Sequence, residues 1–219
     1  MHVMIINGSP RVQQYSNTDK IIDAFGEGLA KAGASFEKHA ISKRNAWDEI
    51  RNAYMSNEEI IIALPLYVEN LPGLLLEFLE TLPVKDQNTR LSFILQGGFA
   101  EASQLSCGKE FLEKLPEHLG VRYGGTLIKG DNFGLRTMDK DEWAAKRITE
   151  PFREMGVAFA EDNGFREDRV RKVAGPDYLS PVMRLMYAAI FKTLAKKGCN
   201  KVAADWGCTV PLDDKPWEQ

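Results

Sequence analysis

Short apolar runs alternate along this chain with stretches in which apolar side chains recur every three or four positions. Val3-Met4-Ile5-Ile6 is closed by Asn7-Gly8-Ser9-Pro10, the pattern of a buried strand ending in a tight turn. From Asp19 onward Ile21, Ile22, Phe25, Leu29 and Ala32 fall on one helical face, and Gly33 stands where glycine ends helices. Ser35 to Ile41 reads as an edge strand and Trp47 to Tyr54 as a weak helix. Glu59-Ile60-Ile61-Ile62-Ala63-Leu64 is apolar on both faces, as central parallel strands are, and Pro65 stops it. Pro72 sits at a helix start, and Leu74, Leu75, Phe78, Leu79 and Leu82 mark the helix face that follows. Leu91 to Leu95 is a further strand ending at Gly97-Gly98. Leu105 to Leu119 is a helix whose last turn Pro116 disturbs, and Gly125 to Ile128 is a fifth strand. Asp141 to Glu161 is a long helix with Pro151 as a kink or break. Repeated strand–helix alternation predicts a doubly wound α/β domain with right-handed crossovers.

The last quarter differs. The charged segment from Gly164 to Asp177, with Gly175-Pro176, reads as a connector. Leu179 to Lys197 is a helix with Leu179, Met183, Met186, Tyr187, Ile190, Phe191 and Leu194 on one stripe and Arg184, Lys192, Lys196 and Lys197 opposite. The tail from Asn200 to Gln219 has no period. The chain is therefore divided into a main domain over 1–162 and a C-terminal helical extension over 163–219. The extension helix has three readings. It covers its own subunit, it makes a dimer contact, which is preferred, or its lysines meet a membrane surface.

The 219 residues are 44% hydrophobic and 27% charged, enough for a sizeable core. A net charge of −3 gives the whole molecule no electrostatic case for nucleic acid. No apolar run is long enough to span a bilayer, the N-terminus lacks a secretory pattern, and a cytoplasmic location is expected. Cys107, Cys199 and Cys208 have no CxxC spacing and no histidine pattern beside them, so reduced thiols are expected and metal is not. His39 and His118 are expected to be surface residues.

Candidate chemistry begins after the first strand. Gly8 to Thr18 carries hydroxyls at Ser9, Ser16 and Thr18, the amide of Asn17 and the guanidinium of Arg11, and it runs into a helix. Ligands of doubly wound sheets sit at the carboxyl ends of strands, and a helix N-terminus favours an anion there. Each of these residues alone could be a plain helix cap. Together they point to a phosphate cradle. The loop is neither GxxxxGK[ST] nor GxGxxG.

Gly8-Ser9-Pro10-Arg11 followed by Ser16-Asn17-Thr18 resembles the phosphate signature of the NADPH-dependent FMN reductase and flavodoxin-like flavoproteins. Leu64 to Gly73 is similar to that family's loop after the third strand, and Gln96-Gly97-Gly98-Phe99-Ala100-Glu101 to its loop after the fourth. Val12-Gln13-Gln14-Tyr15 is a longer insert than usual. The resemblance spans roughly residues 1–160. It implies a flavodoxin-like five-stranded parallel sheet of order 2-1-3-4-5, and bound FMN with NAD(P)H as cosubstrate. The implied cofactor contacts are Ser9, Arg11, Ser16, Asn17 and Thr18 at the phosphate, Pro65, Leu66, Tyr67 and Val68 on one side of the ring, and Gly97, Gly98 and Phe99 on the other. Glu101 is expected to cap the following helix rather than to act in catalysis.

The implied activity is an oxidoreductase passing electrons through flavin to a small acceptor such as a quinone or free flavin, with no catalytic side chain required. The alternative is a flavodoxin-like electron carrier without NAD(P)H turnover. Carriers tend to be shorter and strongly acidic. An iron–sulfur flavoprotein would need clustered cysteines, and a flavin-free phosphate-ester binder would need only the first loop. The expected partners are a small-molecule acceptor and a second copy of the chain. No motif selects NADH over NADPH.

Overall fold

The structure is a computed structural model describing residues 1–210, 214, 215 and 217; the other tail positions lie outside these. Strands β1 (His2–Asn7), β2 (Ser35–Ala40), β3 (Glu59–Pro65), β4 (Arg90–Gln96) and β5 (Arg122–Lys129) form one parallel sheet of order β2-β1-β3-β4-β5. That is the order the resemblance implied. Helices α1 (Asn17–Lys31), α2 (Trp47–Ser56), α3 (Gly73–Glu80), α4 (Ser106–His118), α5 (Trp143–Asp162) and α6 (Glu167–Ala174) follow the strands.

Strand side chains alternate between two cores. Met4, Ile6, Ile60, Ile62, Leu91 and Phe93 pack with Trp47, Ile50 and Tyr54 of α2, Phe78 of α3 and Leu112 of α4. Val3, Ile5, Ile61, Ala63, Ile94 and Leu127 pack on the other face with Phe25 of α1, Phe152 and Phe159 of α5, and Val170 of α6. This is why β1 and β3 read as unbroken apolar runs.

Three sequence expectations are corrected. β5 starts at Arg122, earlier than Gly125, and carries an irregularity opposite Leu91 and Phe93. A Cβ at Gly124 would lie 2.2 Å from Ser92 Oγ, and Gly125 has φ +100°, so the glycines build a bulge inside the strand. α5 runs unbroken through Pro151. The cost of about 3 kcal/mol for an interior proline is offset by burial of Phe152, Met155 and Phe159 on its inner face. Glu101 stands at the N-cap of the 3₁₀ turn Ala102–Leu105 but makes no side-chain capping bond there.

The chain divides into two compact units, Met1–Asp177 and Tyr178–Gln219. The first extends past residue 162 because Phe165, Val170 and Ala174 are buried with the core. The second contains α7 (Pro181–Ile190), a π-helical turn over Phe191–Ala195 and α8 (Lys196–Asp205). Helical structure thus continues well beyond Lys197. The three cysteines are free thiols.

α1 and α5 touch backbone to backbone. A Cβ on Gly28 would lie 2.0 Å from the Arg153 carbonyl oxygen, and one on Gly156 would lie 2.1 Å from that of Phe25. Alanine is the better helix former by about 1 kcal/mol. Here the clash wins, because neither carbonyl moves without its helix. Gly28→Ala or Gly156→Ala should therefore lower stability by about 2–3 kcal/mol, measured as a fall in melting temperature of roughly 5–10 °C.

Tyr54 gives the opposite expectation. It is fully buried, and its hydroxyl has no hydrogen-bond partner among the described residues. Burial pushes its pKa from 10.0 up to about 12. A raised value means that its contribution is intact below pH 10 and lost as pH climbs toward 12. Tyr54→Phe should leave neutral-pH stability unchanged or raise it by about 1 kcal/mol, and should flatten the alkaline fall in denaturation curves.

Candidate functional site

Four loops leave the carboxyl edge of the sheet, after β1, β3, β4 and β5, and enclose a cleft of about 270 Å³. β1 and β3 are neighbours although β2 lies between them in sequence, so the cleft stands where strand order reverses.

The loop after β1 is held by its own polar groups. Asn7 Oδ1 accepts the Ser9 amide at 3.0 Å, and Ser9 Oγ accepts the Arg11 amide at 3.3 Å. Ser16 is the N-cap of α1, its Oγ accepting the Asp19 amide at 3.3 Å. The first-turn amides of Asn17 and Thr18 have no acceptor within the helix and add to its positive end. Thr18 Oγ1 accepts a hydrogen bond from Gln96 Nε2 at 3.3 Å, tying this turn to the end of β4.

One acidic residue sits in that first turn. Asp19 accepts from Asn7 Nδ2 at 3.2 Å and from Lys38 Nζ at 3.0 Å, and Lys38 also bonds Asp23. Burial pulls the Lys38 ammonium down, but its hydrogen bonds to Asp23 and Asp19 outweigh that and hold its pKa above 10.5. Among the described residues, those lining the cleft include Arg11 and Arg136 and no carboxylate. The cleft therefore favours an anion.

The other loops are fastened to one another. Leu66 donates its amide to the Gln96 carbonyl at 2.9 Å, and Gly97 donates to that of Lys129 at 3.2 Å. Asn132 donates its amide to Gly97 at 3.1 Å and Asp131 to Phe99 at 2.7 Å. Beyond β3, Tyr67 and Asn70 exchange backbone hydrogen bonds of 2.9 and 3.1 Å around Val68 and Glu69, whose φ values are 48° and 63°. A β-branched residue in the left-handed region is strained. Val68 is nonetheless 99% exposed, and Tyr67 and Phe99 (73% exposed) also present apolar surface.

Eleven of the twelve residues expected at the site line the cleft: Ser9, Arg11, Asn17, Thr18, Pro65, Leu66, Tyr67, Val68, Gly97, Gly98 and Phe99. Ser16 does not. It is fully buried and its hydroxyl is committed to capping α1. Gln96, Asn132, Phe133 and Arg136 also line the cleft and were missed. The last three lie in the loop after β5, which the strand-end rule would have selected. His39, half-buried, and His118, exposed, lie outside it.

Two acceptors in the cleft wall are unsatisfied. Asn17 Nδ2 donates to the Asn132 carbonyl and Asn132 Nδ2 to the Lys129 carbonyl, both at 2.9 Å, which fixes the amide orientations. The buried Oδ1 atoms of both then have no partner among the described residues. Buried acceptors without donors are rare. A ligand with hydroxyl groups would complete them, and a phosphoryl group would meet the donors at the α1 terminus. An FMN, with its ribityl chain between phosphate and ring, fits this donor and acceptor set.

A second cleft of about 270 Å³ lies between α1 and α5, with Lys20, Glu27 and Arg153 among its lining residues. Its charges are engaged locally: Arg153 pairs with Glu27 at 2.6 Å, and Lys20 Nζ bonds the Leu135 and Met138 carbonyls. Those bonds anchor the segment after β5 to α1.

No protein-family model and no curated protein matches the chain. Solved structures do. An FMN-dependent NADH-azoreductase from Bacillus anthracis str. Ames Ancestor, solved with FMN, is 14% identical, with a TM-score of 0.54 over 73% of this chain and 100% of its own. An NAD(P)H:quinone oxidoreductase from Methanothermobacter marburgensis gives 14% identity and a TM-score of 0.54, over 74% of this chain and 98% of its own. An NADH:FMN oxidoreductase in its apo form gives 18% and 0.56, over 83% and 98%. At these identities the likeness shows the flavodoxin-like fold.

Lys38→Met leaves Asp19 and Asp23 without their cation at the mouth of α1. Solvent screening of this partly exposed cluster limits the expected loss to about 1–2 kcal/mol. Because Lys38 is raised, its contribution is full below 10.5 and fades as pH rises through its own value. Urea unfolding of both proteins should show a gap near neutrality that closes at strongly alkaline pH.

Proposed function

We propose that this chain binds FMN in the cleft at the carboxyl edge of its sheet and acts as an NAD(P)H oxidoreductase, delivering electrons to a small acceptor such as a quinone or free flavin. The observation that carries the reading is one cleft combining three features: a lining with two arginines and no carboxylate at the amino end of α1, two unsatisfied amide oxygens, and an apolar rim of Tyr67, Val68 and Phe99. The activities described for the three solved structures of this fold support it.

Bound FMN supplies the hydride-accepting and electron-donating chemistry. The chain's residues do the rest. Ser9, Arg11, Asn17, Thr18 and the first-turn amides of α1 hold the phosphoryl end. Asn17 and Asn132 accept hydrogen bonds from the ribityl hydroxyls. Pro65-Leu66-Tyr67 and Gly97-Gly98-Phe99 border the ring, and the glycine amides are available to its pyrimidine carbonyls. The open face beside Tyr67 and Phe99 leaves room for a nicotinamide to stack at reacting distance.

The purified protein, supplied with FMN, should be yellow and should oxidise NADH or NADPH in the presence of a quinone. Exchanging both Asn17 and Thr18 for Ala should weaken FMN binding by about 10- to 100-fold in a fluorescence titration, from loss of two to three polar contacts. A colourless protein that takes up no FMN sinks the proposal. Bound FMN without nicotinamide oxidation by any acceptor leaves the electron-carrier reading in its place.

A further inference from the structure

The helical segment of the second unit has a composition that nothing in the cleft uses. Between residues 178 and 204 the chain carries Arg184, Lys192, Lys196, Lys197 and Lys201 and no carboxylate. No residue of α7, the π turn or α8 is buried, although the segment includes Leu185, Met186, Ile190, Phe191 and Leu194, the last 70% exposed. Helices of this length owe their stability mainly to burial of an apolar face.

The π turn at Phe191–Ala195 decides how that face runs. In an unbroken α-helix, advancing about 100° per residue, Lys197 and Lys201 would fall within the stripe formed by Met183, Met186 and Ile190. A π turn advances each residue by less, and five such residues delay the phase by roughly a quarter turn. Leu194 and Val202 then continue the stripe, while Lys197 and Lys201 move to its flank. The irregularity thus extends one apolar face, bordered by Lys197 and Lys201, as far as Val202, with Asp205 closing it at the end of α8. π-bulges are commonly kept where a face has a use.

We propose that this face lies on an anionic phospholipid surface, with Met186, Ile190, Leu194 and Val202 entering the acyl boundary and Lys197 and Lys201 meeting the phosphates. The argument is charge complementarity. The flanking Lys197 and Lys201 suit an anionic surface, and the single carboxylate of α8, Asp205, stands at its end. Pairing two copies of the same face would bring like charges together. No described helix is long and apolar enough to cross a membrane, so the contact is in the plane of the surface. The proposal does not depend on FMN.

The test is co-sedimentation of the full chain with phosphatidylcholine vesicles, with or without phosphatidylglycerol. Binding is expected only to the anionic vesicles, falling as salt rises. A variant carrying Lys197→Gln and Lys201→Gln should partition about thirtyfold more weakly, at about 1 kcal/mol per cation. Leu194→Asp should abolish binding; circular dichroism and an unchanged melting temperature report that either variant remains folded. Equal binding to neutral vesicles, or none to either, overturns the proposal. So does light scattering that shows a dimer which Leu194→Asp dissociates, because the face then belongs to a second copy.

Discussion

The positive end of α1, held against the end of β1, is the feature on which the rest of the site depends. It must present amide donors, stay clear of uncompensated negative charge and remain fixed to the sheet. Ser16 meets the first need by capping the Asp19 amide and leaving the two before it. Lys38 and Asn7 meet the second by engaging the carboxylate of Asp19. The third is met at a distance, where Gly28 and Gly156 let α1 and α5 touch backbone to backbone. A helix dipole contributes only within its first turn. An ångström of drift at that turn would therefore matter more than the loss of one side-chain contact elsewhere.

The other walls gain rigidity from one another. The loops after β3, β4 and β5 are linked in series by the Leu66–Gln96, Gly97–Lys129 and Asn132–Gly97 backbone bonds. Within this frame Val68 and Glu69 keep left-handed backbone that costs of order 1–3 kcal/mol per residue. Exposed valine makes that turn costlier still, since an Asn-Gly pair would adopt it readily. Stability alone does not explain Val68. An apolar tip beside the proposed ring-binding wall does.

Much of this was legible in the sequence, and the failures have physical causes. β1, β3 and β4 are apolar on both faces, so short runs were enough to find them. β5 was read only from Gly125, because Arg122-Tyr123-Gly124 carries no apolar run, whereas Gly124 and Gly125 fit a bulge against Ser92 within a longer strand. Asn132, Phe133 and Arg136 were passed over although the end of β5 was placed within one residue, because the loop after it carries no glycine- or hydroxyl-rich signal of the kind seen after β1 and β4. Pro151 was read as a break because local propensity cannot weigh the burial of Phe152 and Phe159 around it. Ser16 was assigned to the ligand because a capping hydroxyl and a phosphate-binding hydroxyl look alike in sequence. Only the Asp19 amide separates them.

The choice between a bare phosphate-ester site and a flavin nucleotide site turns on polarity along the cleft. A phosphate ester needs donors, and the α1 terminus with Arg11 supplies them. It has no use for acceptors, yet Asn17 Oδ1 and Asn132 Oδ1, on two residues of the cleft wall, are buried without partners among the described residues. Nor does it call for Tyr67, Val68 and Phe99 to remain exposed at the far end, where burial against their own loops would save the cost of hydrating them. Donors, acceptors and apolar surface in one cleft match the phosphoryl group, polyol and flat ring of the proposed ligand. The same polarity argues that the polyol is recognised in its own right. Riboflavin should then retain a measurable share of the affinity, whereas a flavin lacking the side chain should lose nearly all of it.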